Sequence, residues 1–108
     1  MTTNKTSIIE EIIAHPNLYL GEKSITKLYY YIFGYTSACI EMVHDTTLAN
    51  KTSDFRQYVV QKYSVKKTLQ WGDILLEASG RNETTAFERF KNDWNEFCDL
   101  TDERNATQ

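Results

Sequence analysis

The residues best able to carry chemistry in this chain are two histidines, two cysteines and a few carboxylate pairs, and none stands in a spacing that assembles a site. His15 and His44 have no cysteine or second histidine at metal-ligand spacing. Cys39 and His44 are five positions apart, about 140° around a helix, so they do not face each other as nucleophile and base. The glycines form no phosphate-cradling loop, and Asp73 with Glu77, or Glu10 with Glu11, are ordinary helix-surface spacings. The expectation is a non-enzyme that needs neither metal nor cofactor.

What remains is binding chemistry. The net charge is −3, divided as +2 over Met1 to Gly72 and −5 over Asp73 to Gln108. Five Lys/Arg against one Asp lie in Lys51 to Lys67, with Tyr58 and Tyr63 interleaved. Such a mix can hold single-stranded nucleic acid. The patch is small on an acidic chain, so nucleic acid is not the expected partner. The last predicted helix carries Glu88, Asn92, Asn95, Asp99 and Asp102 on one face, opposite Phe87, Phe90, Trp94 and Phe97. Tyr30 and Tyr31 lie on the longest predicted helix, and tyrosine is enriched in protein interfaces. These seven polar and aromatic residues are the candidate partner-binding set.

The elements that must position them are all helical by their spacing. Ile25 to His44 sets one stripe through Ile25, Leu28, Ile32, Tyr35, Cys39 and Met42, and a second through Tyr29, Phe33, Ile40 and Val43. Two stripes predict a central helix with neighbours on most of its surface. Gly34 and Ala38 within it predict close approach of another helix. Before it, Ser7 to Glu10 fits a capping box for a helix ending near Ala14. Pro16 stops that helix, and Leu18 to Leu20 should fold onto the core from a connector. Ser24 is a suitable N-cap.

After it, Asp45 to Thr52 reads as a loop and Ser53 as the cap of a helix from Asp54 to about Tyr63. A strand through Tyr58 to Val60 is the rival, and the spacing from Phe55 to Val59 favours helix. Thr68 would cap a helix from Leu69 to Ala78, stopped by Gly80. Asn82 or Thr85 would cap the last one, Thr85 to Glu88 being a second capping box. The expectation is therefore a single all-α domain of about five helices around a long central one. Residues 7–100 would be ordered, with frayed tails over 1–6 and 101–108.

Cys39 and Cys98 sit on apolar stripes and are expected as reduced, buried thiols of a cytoplasmic protein. The polar start and the short longest apolar run, Leu28 to Phe33, predict neither a signal peptide nor a membrane partner.

Pro16-Asn17-Leu18-Tyr19-Leu20-Gly21, then Ser24-Ile25 and Leu28, then Gly34-Tyr35, resembles a family of small bacterial immunity proteins. Its members look like Arg-Pro-x-Met-Tyr-Leu-Gly, then Ser-Ile, then Leu and Gly-Tyr on a long helix. Trp71 with Ile74 and the closing Phe87 to Phe97 helix are similar too. His15 and Leu18 stand where the family carries Arg and Met. Such proteins are encoded beside polymorphic or contact-dependent growth-inhibition toxins. The resemblance implies a protein that neutralises a cognate toxin domain, often a nuclease, by binding it; the acidic C-terminal portion suits a basic toxin, and a monomer or weak dimer is expected. A non-enzymatic adaptor for a helical protein partner is the alternative.

Overall fold

The computed structural model describes the backbone of residues 7–106 and the side chains of residues 8–101. The chain is all-α. In order it forms α1 (Ser7–Ala14), α2 (Pro16–Leu20), α3 (Ile25–Val43), α4 (Thr47–Lys62), α5 (Trp71–Ala78) and α6 (Glu83–Ala106), with no strand among the described residues. The Ser7 side chain, on which the proposed capping box rests, and the tail before it lie outside the described residues.

Six helices form among the described residues where about five were expected. Pro16 does end α1, but it also starts α2, because its fixed φ suits the first helical position. The His15 carbonyl accepts from the Leu18 and Tyr19 amides at 3.1 and 3.3 Å. Gly21, at φ 82, ends this short helix in the left-handed region, its amide donating to the Asn17 carbonyl. Leu20 is buried and Tyr19 packs against the core, but Leu18 is 78 % exposed, so only part of that connector folds inward.

Two further starts move. Helix α4 begins at Thr47 rather than Asp54, and Tyr58 to Val60 is helix rather than strand. Asp45 Oδ1 accepts from the Thr47 amide at 2.9 Å, and buried Leu48 gives the first turn an apolar anchor. Helix α5 begins at Trp71, not Leu69. The Leu69 carbonyl accepts from Arg56 Nε at 2.8 Å, and Gln70 occupies the extended cap position instead of Thr68. At the far end α6 continues to Ala106, past Thr101, where a tail was expected.

The core is one aromatic cluster. The Phe55 ring of α4 lies 5.8 Å from Trp71, 5.3 Å from Phe90, 5.1 Å from Trp94 and 5.5 Å from Phe97. Edge-to-face pairs at such separations add to simple burial. Ile25, Leu28 and Ile32 of α3 join it, as do Ile9 and Ile12 of α1.

The close helix approach is not where the sequence placed it. Nothing lies within 4 Å of a Cβ built at Gly34, and Ala38 is exposed. Instead Gly72, buried in the first turn of α5, packs on Tyr29 of α3, where a Cβ would meet the Tyr29 Cβ at 3.0 Å. The α3–α5 contact is therefore set by one glycine outside the central helix.

Candidate protein-binding surfaces

Helix α6 divides as its two stripes require. Phe87, Phe90, Trp94 and Phe97 are buried, and Asn92, Asn95 and Asp99 face solvent. Glu88 is only half-exposed and is paired with Lys23 at 2.8 Å, so it serves the contact between α6 and the segment before α3. The Asp102 side chain lies outside the described residues. The second expected capping box does not form: Asn82 Oδ1 accepts from the Thr85 amide at 2.8 Å, which makes Asn82 the cap.

Two further acidic residues of α6, Asp93 and Glu83, do structural work. Asp93 is 3 % exposed and completes a polar cluster. Its Oδ1 accepts from Lys62 Nζ at 2.7 Å and its Oδ2 from the Tyr63 hydroxyl at 2.6 Å. Lys62 also reaches Glu96 at 2.9 Å, and Arg89 lies 5.7 Å over the Tyr63 ring. Burial, then the bond to Asp93, hold the Tyr63 phenol above its ordinary pKa, against the opposing pull of Arg89. The i, i+4 offset from Arg89 and the +3 offset from Phe90 put Asp93 beside the apolar stripe, a signal that could have marked it.

Glu83, the first residue of α6, caps a different helix. Its Oε1 accepts from the Thr26 amide and the Ser24 hydroxyl, each at 2.9 Å, and its Oε2 accepts from the Thr26 hydroxyl at 2.7 Å. Ser24 is at the same time the local N-cap of α3, accepting from the Lys27 amide at 3.2 Å. Partial burial pushes the Glu83 carboxyl upward, but these bonds and one from the Ile25 amide outweigh it and leave its pKa below the ordinary value. A carboxylate at a helix N-terminus is favourable for the same reason.

The basic stretch is largely used internally. Lys62 is held by Asp93 and Glu96, Arg56 by the Leu69 carbonyl, and Lys51 lies 5.5 Å over the Trp94 ring. Cys39 and Cys98 are half-buried rather than buried. His44 takes a backbone role: at φ 55 it ends α3, its amide donating to the Ile40 carbonyl and that of Asp45 to the Cys39 carbonyl. Among the described residues no group of three or more His, Cys, Asp or Glu could hold a metal ion. No described helix is long and apolar enough to cross a membrane.

The two candidate tyrosines have different surroundings. Tyr31 is half-buried, edge-on to Tyr19 of α2 with ring centres 6.0 Å apart. Tyr30 is 66 % exposed, and Phe33 one turn on is 59 % exposed. Ile40, Val43 and, on the side of the helix opposite Phe33, Met42 are also exposed toward the end of α3. This overturns the expectation that α3 is covered on most of its surface. Phe33, Ile40, Val43 and Met42 keep the spacing of buried residues, yet all four are exposed. Two hollows flank Phe33, one shared with α4 and lined by Thr36, Ser53 and Arg56, the other shared with α5 and lined by Tyr30, Gln70 and Asp73.

No protein-family model matches this chain, and neither curated proteins nor solved structures give a match.

Proposed function

We propose that this chain is a non-enzymatic immunity protein that binds a cognate bacterial toxin domain, basic and often a nuclease, and occludes it. The observation that supports this reading most directly is the uncovered apolar surface of α3. Tyr30, Phe33, Ile40, Met42 and Val43 stay exposed along one helix of a chain that has an aromatic core to receive them. Exposed apolar surface of that kind marks interaction sites. Aromatic anchors beside hollows suit a tight interface, which buries about 800 Å² on each partner.

Acidic charge complements this. The −3 net charge, with Asp99 in solvent on α6 and Asp73 beside Tyr30, would speed encounter with a basic domain. The resemblance in Pro16 to Gly21 and along α3 names the class of partner.

The test is co-expression with the variable C-terminal domain of a large secreted protein encoded directly upstream. Rescue of growth and a stoichiometric complex on gel filtration are expected. Normal toxicity in the presence of the folded chain, with no complex, would overturn the reading.

A further inference from the structure

We propose that the notch between α3 and α5, walled by Tyr29, Tyr30 and Phe33 and closed by the Asp73 carboxylate, receives an arginine side chain presented by a protein partner. The inference rests on reading the chain as a protein-binding module, though not on the partner being a toxin.

Each wall of the notch has a structural cause. Gly72 has no side chain, so Tyr29 lies directly against α5 and forms part of the notch. Tyr30 stands edge-on to Tyr29 with ring centres 5.3 Å apart, and Phe33 tilts over Tyr29 at 6.3 Å. Asp73, one residue after Gly72, brings a negative charge to the same space. That charge is felt there: burial first, then Tyr30 and Asp73, hold the Tyr29 phenol above its ordinary pKa. Asp73 is exposed and has no cation paired with it among the described residues. Gln70, at the rim, makes no side-chain bond to the helix it precedes.

Aromatic faces with a carboxylate at one end match the chemistry of a guanidinium. Its plane stacks on rings while its edge donates paired hydrogen bonds to a carboxylate. An ammonium offers only a point charge to the same groups. An apolar side chain would leave the Asp73 charge unanswered. A nucleic acid would bring phosphate to that carboxylate and is disfavoured. Arginine is also enriched at the energetic centres of protein interfaces.

The experiment needs no partner protein. The ¹⁵N-labelled full chain is titrated with L-arginine amide, L-lysine amide and the neutral isostere L-citrulline amide while backbone shifts are followed. Saturable shifts at Thr26, Tyr29, Tyr30, Phe33, Gln70, Gly72 and Asp73 are expected with arginine amide. They should weaken about two- to five-fold in Asp73→Asn, the range of an exposed ion pair. Tyr30→Ala should weaken them about two- to five-fold, the range of an exposed cation–π contact. Asp73 also stands in the first turn of α5, where negative charge favours the helix. Asn keeps its shape, and the shifts themselves report that the variant is folded.

Equal binding of citrulline or lysine amide would overturn the assignment, as would shifts confined to the Asn92 to Asp99 face or undiminished in Asp73→Asn. Toxin rescue without arginine binding would leave the immunity reading standing and remove this one. Arginine binding without rescue would do the reverse.

Discussion

The two halves of α3 have the same sequence character and opposite fates. From Ile25 to Ile32 the helix is locked: Ile25, Leu28 and Ile32 are buried, Tyr29 rests on Gly72, and Glu83 of α6 holds the first turn. From Phe33 to Val43 only Tyr35, Thr36 and Cys39 are half-buried, and the remaining apolar side chains face solvent. Spacing alone cannot separate these halves, because each repeats every three or four residues. What separates them is whether another helix lies alongside. The first half, Tyr30 excepted, serves the fold, and the second leaves its apolar side chains uncovered.

The largest effect should come from the cluster under the first half. Trp94 is buried and in ring contact with Phe55, Phe90 and Phe97, so Trp94→Ala should cost about 3–5 kcal/mol in chemical denaturation. A variant that melts like the parent would mean Trp94 belongs to a surface instead.

Next comes the glycine that brings α5 against α3. A Cβ at residue 72 would meet the Tyr29 side chain at 3.0 to 3.2 Å. Gly72→Ala should therefore lose about 1–3 kcal/mol by overpacking. It should also change the near-ultraviolet signal of the tyrosines. Gly34→Ala on the free half has open space around it and should instead gain, since Ala exceeds Gly by about 1 kcal/mol inside a helix.

The Glu83 cap should cost less, and its effect should depend on pH. Its pKa is depressed in the folded protein, so its contribution is present above the ordinary value of 4.5 and is lost as pH falls through the folded value. Glu83→Gln should cost about 1 kcal/mol at neutral pH, the worth of a typical cap, and the gap from the parent should close in acid. A gap of constant size from pH 7 to pH 3 would show that the charge has no part in it.

The smallest stability effect should be at the far end of α3. Met42 is 78 % exposed, so Met42→Ala should stay within about 0.5 kcal/mol of the parent. If the second half is the partner surface, Phe33→Ala should likewise leave the fold intact while weakening toxin rescue. Asp99→Lys on α6 should slow association and reduce its salt dependence without unfolding the chain. A loss of stability in Met42→Ala comparable to that of Gly72→Ala would erase the distinction between the halves.

By itself the sequence determined the helical class, the α3 boundaries to within a residue, the Ser24 cap and the inward face of α6. These depend on short-range physics: a periodic apolar stripe, a capping hydroxyl, a left-handed stop. It also marked Phe55 to Val59 as helix, since these residues keep helical spacing. Tertiary structure alone decided which apolar stripe is covered. The first turn of α4 forms around buried Leu48, and the start of α5 is fixed by Arg56 holding the Leu69 carbonyl. The same holds for charge. The sequence put Lys62 in a basic patch and Glu88 on a polar helix face, yet Lys62 bonds to buried Asp93 and Glu88 bonds to Lys23. Ion pairs, long-range caps and uncovered ridges join residues tens of positions apart, and local periodicity carries no information about which of them meet.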